Sequence, residues 1–261
     1  MNNNIHNSFN TINNKTTTFD DLIVTFKPNL DQINEIEYWL IEEYKNSGEG
    51  FHCNWKVIFD SFNRNEIGVI LVDNKTIGFI IWSKYNRVAK IEIAEIRQEF
   101  RRMGYGRILA EILFIEMKKQ GVSTLKLHCA PPESEIVWKK LGFKQFPAVE
   151  DFKIQNSDKG KHLFKVIVPY AKPIKSNGAG VTIELWSVEP YQIEKIEPQW
   201  KWVPKFQKAT RKLVKPIIAP AKGDWNIRWS ENGKVVMESK VKRFGRNYYN
   251  DFLIIDELLL T

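Results

Sequence analysis

A strand-like run, Ala89 to Ile96, gives way across a basic hexapeptide with two glycines, Arg101-Arg102-Met103-Gly104-Tyr105-Gly106, to a segment with helical periodicity, Tyr105 to Lys119. This junction constrains the fold more than any other stretch. Two glycines let the chain turn tightly and come close to a ligand. The unpaired N–H groups and positive dipole end of the helix that follows favour a phosphate. Arg101, Arg102 and Arg107 add positive charge, so a pyrophosphate is the natural guest. In isolation the same hexapeptide is just a basic turn that starts a helix, and its meaning comes from its surroundings.

Those surroundings alternate. Leu22 to Phe26 reads as a strand. Pro28-Asn29 then opens a helix with Leu30, Ile33, Ile36, Trp39 and Leu40 on one face, and a second helix is expected over Asn54 to Phe62. Ile67 to Val72 and Thr76 to Ser83 form a hairpin around Asp73-Asn74-Lys75. The helix after the junction carries Ile108, Leu109, Ile112, Leu113 and Met117 on its apolar face, and Thr124 to Cys129 is again strand-like. Pro131-Pro132 breaks the chain, Glu133 to Leu141 restarts a helix that Gly142 stops, and Phe143 to Ala148 with Leu163 to Val168 gives a last strand pair.

These patterns predict an Asn- and Thr-rich tail over residues 1–18, one mixed α/β domain over 19–170, a linker at 171–180 and a smaller, mainly β domain over 181–261. In that last part Val181 to Val188 reads as a strand, and Trp225–Ser230 with Val235–Lys242 as a hairpin around Asn232-Gly233. The net charge of +8 sits mostly there: from Ala171 onward 16 Lys+Arg stand against 10 Asp+Glu. Cys53 and Cys129 fit neither a disulfide framework nor a zinc spacing. No apolar run nears the roughly 18 residues of a membrane span and no secretory signal opens the chain. A reducing, cytoplasmic setting is therefore expected, with no membrane contact.

The junction resembles the signature Gln/Arg-x-x-Gly-x-Gly/Ala of the GNAT superfamily of N-acetyltransferases, matched by Arg101, Gly104 and Gly106. Val137-Trp138-Lys139-Lys140-Leu141-Gly142-Phe143 is similar to the family's downstream helix and closing Leu-Gly-Phe, and the likeness spans Leu22 to Val168. It implies a GNAT-like α+β fold, acetyl-CoA as acyl donor, and direct transfer of the acetyl group to an amine. The cofactor-binding set becomes Ile96, Arg97, Gln98, Arg101, Arg102, Met103, Gly104, Tyr105, Gly106 and Arg107, with main-chain groups of Ile96 to Gln98 meeting the pantetheine arm. The acceptor is an unidentified amine, and the family's chemistry requires no metal.

Two positions depart from the pattern. Trp138 stands where the family often has an acidic tyrosine, and an indole cannot protonate a thiolate. Ala130-Pro131-Pro132 replaces a frequent asparagine. Glu92 is the candidate general base, and strand alternation puts it on the face opposite Ile93 and Glu95. Ser134 reads as a helix N-cap, His128 and Cys129 as structural, and the four histidines show no metal spacing. Alternatives to the enzyme are a non-catalytic acyl-CoA-binding module, and an acetyltransferase directed to a nucleic-acid-linked amine. The latter is motivated by the basic, aromatic stretches Trp200 to Phe206 and Lys242 to Tyr249, for which a solvated face over an aromatic core is the favoured reading.

Overall fold

The computed structural model describes residues 21–130, 133–153, 161–175 and 180–258. The expected N-terminal tail, the Pro131-Pro132 break and positions 176–179 of the expected linker lie outside the described residues. Contacts divide the chain into two compact units. One takes in the chain up to Ser83 together with Ile91–Glu116. The other takes in Lys84–Lys90 and everything from Met117 on.

The first unit begins with strand β1 (Leu22–Thr25) and helix α1 (Leu30–Ser47). Asn29 caps α1: its side chain accepts from Gln32 N–H at 2.9 Å while the Gln32 side chain accepts from Asn29 N–H at 2.9 Å. This reciprocal pair fixes where the helix starts. Gly48, with φ of 71°, ends it in a left-handed turn. Ile33, Ile36, Trp39 and Leu40 are buried, but Leu30 is 52% exposed, since at the first helical position it precedes the buried face. A single 3-10 turn leads into α2 (Trp55–Asn63).

Strands β2 (Ile67–Val72) and β3 (Lys75–Tyr85) pair antiparallel through a turn in which Asp73 and Asn74 both have positive φ, the geometry that a two-residue hairpin favours. β4 (Val88–Ile96) extends the order β1-β2-β3-β4. Side chains of Ile33, Ile36, Leu40, Ile58, Phe79 and Ile93 close one core. After a 3-10 turn at Gln98–Phe100 comes α3 (Tyr105–Lys119), which buries Leu109, Leu113 and Met117 as its period requires.

The second unit contains β5 (Thr124–Cys129), α4 (Ser134–Lys140), β6 (Lys144–Gln145), the single-turn α5 (Glu150–Lys153) and β7 (Lys161–Val166), with order β5-β7-β6. The strand expected over Phe143 to Ala148 shrinks to two residues because Phe146 turns into the core and Pro147 has no N–H for a ladder. Beyond it, β12 (Lys234–Lys240), β11 (Asn226–Glu231), β8 (Val181–Trp186) and β9 (Trp200–Trp202) form a four-stranded antiparallel sheet. β10 (Lys212–Pro220), β14 (Phe252–Glu257) and β13 (Tyr248–Tyr249) form another of three strands. Asn232 and Gly233 have φ of 49° and 78°, so the Asn-Gly hairpin stands as read.

One aromatic core runs through this unit. Phe146 lies 4.9 Å from Phe152 and 5.6 Å from Phe252, Phe152 lies edge-on to Trp225 at 5.5 Å, and the Trp225 indole N–H donates to Asp151. The start of the expected linker is itself hydrogen-bonded: Ala171 N–H donates to Pro216 at 2.8 Å and Ile174 N–H to Lys201 at 2.8 Å. The described part of that stretch is anchored, not a free hinge. Phe252 is fully buried between Phe146 and Phe164. Phe252→Ala should therefore lower unfolding free energy by about 3–5 kcal/mol, read by denaturant titration of tryptophan fluorescence.

Candidate active site

Alternation along β4 sorts its two glutamates onto opposite faces, as the period of two requires. Glu95 shares the face of Ile93, which packs against α1 and α2. It meets Arg101 at 3.0 Å, and Arg101 also pairs with Glu43 on α1. Glu92 lies on the other face, where its carboxylate accepts from the Ser83 hydroxyl at 2.8 Å.

Arg101 is engaged within the protein. Its Nε donates to the Ile96 carbonyl at 2.7 Å, and its Nη2 serves both Glu43 and Glu95. The main-chain groups expected to meet a pantetheine arm are largely engaged as well. Ile96 N–H donates to Glu95 Oε1 at 3.0 Å, Arg97 N–H to the Ile77 carbonyl at 2.8 Å, and the Gln98 carbonyl accepts from Arg101 N–H at 3.2 Å. Arg97 further pairs with Glu99 at 2.7 Å. Burial pushes the Glu95 carboxyl above its ordinary value, and the Arg101 charge only partly opposes this.

The loop so anchored has the backbone of a ligand cradle. Arg102 has φ of 64° and Gly104 of 93°, and a Cβ on Gly104 would meet nothing within 4 Å. Glycine is needed at 104 for its dihedral angle, not for space. At Gly106 a Cβ would lie 3.4 Å from Ile96 Cγ1, an ordinary van der Waals contact. The first intrahelical bond of α3 runs from Ile108 N–H to the Gly104 carbonyl at 3.1 Å, which leaves the amides of Gly106 and Arg107 without a helical acceptor. Tyr105 itself is buried, edge-on to Phe100 at 6.1 Å. Met103 is exposed, and Arg107 pairs with Glu111 at 2.8 Å. Of the three arginines read as phosphate ligands, only Arg102 makes no ion pair among the described residues.

In the second unit, Cys129 Sγ lies 2.9 Å from Ser134 Oγ, and burial raises the thiol above its ordinary value. The N-cap expectation for Ser134 is overturned. Glu133 precedes α4 in helical conformation with no side-chain cap, and the Ser134 hydroxyl is turned to the cysteine. Trp138 packs edge-on to Phe143 at 5.3 Å, and Gly142, with φ of 86°, turns the chain after α4. His128 and His162 face each other across β5 and β7 with ring centres 4.7 Å apart, and burial brings His162 down to about 4. Among the described residues no group of three or more His, Cys, Asp or Glu could hold a metal ion, and no helix is long and apolar enough to cross a membrane.

Residues 30–143 match the profile of the Acetyltransferase (GNAT) family. The chain is thus α+β, a GNAT fold followed by additional β-sheets. Ard1 from Thermoplasma volcanium is similar at 20% identity, with 56% of this chain and 98% of that one covered and a TM-score of 0.44. The paia N-acetyltransferase from Thermoplasma acidophilum, solved with coenzyme A, is 15% identical over 56% and 99% of the chains, TM-score 0.43. Tetrahymena GCN5 is 20% identical over 57% and 98%, TM-score 0.42. No curated protein matches the sequence.

The pairing of Glu43 with Arg101 spans 58 residues, and no local pattern announces it. Ser83, nine residues from Glu92, was within reach of hairpin reasoning. Removing the guanidinium while keeping its bulk, Arg101→Met, leaves two half-buried carboxylates side by side and should cost roughly 1–3 kcal/mol at neutral pH. Glu95 is raised, so its contribution to stability is present below about pH 4.5 and is lost as pH rises through its folded value. The deficit of Arg101→Met in thermal unfolding should therefore be largest near pH 7.5 and shrink towards pH 4.5.

Proposed function

We propose that the chain is an acyl-CoA-dependent N-acetyltransferase that moves an acetyl group from acetyl-CoA to a primary amine by direct attack. The observation that carries this is the Arg102–Gly106 cradle at the start of α3, lying within the stretch that matches the family. The Gly106 and Arg107 amides of the first helical turn receive the pyrophosphate, and Arg102 supplies the uncommitted charge. Arg101 holds the cradle against β4 and is a positioning residue.

Attack needs a neutral amine. Glu92, oriented by the Ser83 hydroxyl, takes up its proton. As the amine nitrogen bonds to the thioester carbon, the electron pair moves to the carbonyl oxygen, where backbone N–H groups stabilise it. The pair then returns and the C–S bond breaks. A thiol of pKa about 8.5 leaves as thiolate without a strong acid, so Trp138 in place of a tyrosine does not bar the reaction.

Calorimetric titration of acetyl-CoA should show binding to wild type and at least tenfold weaker binding to Gly104→Val, where a β-branched residue must adopt a positive φ. No binding to wild type would refute the proposal. With an amine panel and a thiol-release assay, Glu92→Gln should bind acetyl-CoA normally and turn over about 10²–10⁴ times more slowly. Binding without thiol release from any amine would instead support an acyl-CoA-binding module.

A further inference from the structure

Net charge hides a strong asymmetry between the two units. Lys84–Lys90 with Met117–Thr261 carries 29 Lys+Arg against 15 Asp+Glu, net +14, whereas the remaining residues carry 10 against 16, net −6. A surface with so large a positive excess attracts polyanions from solution. The acetyl transfer proposed above makes no use of it.

The two basic, aromatic stretches of the sequence differ in what the fold does with them. In the first, Trp202 is buried, and Trp200 stacks on the buried Trp225 at 5.7 Å with the rings 13° apart. Those rings are core. In the second, Lys242, Gly245, Arg246, Tyr248 and Tyr249 line an open cleft of about 660 Å³ together with Asn86 and Arg87 from the β3–β4 turn. That is within the usual volume of a small-ligand site.

The walls of this cleft are built, not incidental. Arg87 is held by the Asp256 carboxylate and by the Ser123 hydroxyl at 2.9 Å, and its carbonyl accepts from Ser123 N–H at 2.8 Å. Lys242 pairs with Asp224 at 2.8 Å, and its N–H donates to the Gly223 carbonyl at 2.9 Å. Tyr248 packs so closely that a Cβ on Gly223 would come within 3.3 Å of its ring. Tyr248 and Tyr249 are half-buried, fixed by pairing with Leu253 and Phe252. Arg246 is exposed and makes no ion pair among the described residues. The cleft therefore offers one uncommitted guanidinium, two neutralised cations and two ordered phenol rings.

We infer that this cleft binds single-stranded nucleic acid, with a base stacked on a tyrosine and the adjacent phosphate on Arg246. An acidic peptide would use the charge but leave the rings unused. A stacked base with its phosphate uses both, and it does so without demanding a sequence.

The test uses the full chain and a fluorescein-labelled oligouridylate of about 12 nucleotides, followed by anisotropy between about 50 and 200 mM salt. Affinity should fall as salt rises. Arg246→Glu should weaken binding about tenfold more than Lys234→Glu, a control with the same change in net charge, and should reduce the log–log salt slope by about one. Tyr249→Leu should weaken binding roughly tenfold at fixed salt with the slope unchanged, while Tyr249→Phe binds as wild type. Absence of binding, equal effects of Arg246→Glu and Lys234→Glu, or a Tyr249→Leu variant that binds normally would each overturn the assignment. So would displacement by polyglutamate of equal charge, which would point to an acidic polypeptide. Displacement by acetyl-CoA would place the oligonucleotide on the α3 loop. These outcomes do not depend on whether acetyl transfer occurs.

Discussion

Arg101 ties together three things that the candidate site needs: the end of β4, through the Ile96 carbonyl, the helix α1, through Glu43, and the loop that leads into α3. Its three partners are a neutral acceptor and two carboxylates, so one guanidinium satisfies two acids that would otherwise repel each other in a half-buried place. A lysine could supply the charge but not a fork that reaches a carbonyl with one nitrogen and carboxylates with another. Arg101 is committed to these partners, whereas the exposed Arg102, whose φ is 64°, makes no ion pair among the described residues. The backbone at the helix start is therefore held by an arginine whose nitrogens are engaged within the protein.

Local elements were legible because their signals are local. The stripe Ile33, Ile36, Trp39, Leu40 and the Asn-Gly hairpin each rest on residues within one or two turns of each other, and each formed as read. The same holds for the cradle, where glycine at 104 follows from a dihedral angle. What the sequence concealed was mostly long-range. Strand β10, with Pro216 and Pro220 among lysines, has no place in the strand pattern read from the sequence, yet it pairs with β14 across a register shift between Lys212 and Ile217. The inward turn of Arg101 and the Cys129–Ser134 contact depend on partners that no periodicity brings to notice.

Aromatic residues in the second unit show how the same composition serves two ends. Trp202, Trp225 and Trp229 are buried and give a unit rich in charged strands enough apolar area to hold together, while basic side chains stay at the surface. Tyr248 and Tyr249 differ only in where β13 ends. It is two residues long and lies at the margin of its sheet, so rings that continue the core on one side open to solvent on the other. Reading a basic, aromatic stretch as core or as binding surface thus turns on strand length and edge position, which composition does not encode.

The proposed transfer passes through no covalent intermediate on the enzyme. An acyl-cysteine route requires a thiol that ionises easily near neutral pH, which protein environments achieve with nearby positive charge or a helix N-terminus. The chain has two cysteines. Cys129 is buried, and burial raises its thiol on balance against the Ser134 hydroxyl and the charges of Lys161 and Lys139, while Cys53 is exposed with its sulfur turned to the Gly50 carbonyl and the Asn54 side chain. A single-step attack by the amine asks only for proximity and a proton acceptor, and the second role is proposed for Glu92, which is hydrogen-bonded to Ser83 on the face of β4 opposite the Arg101 clamp.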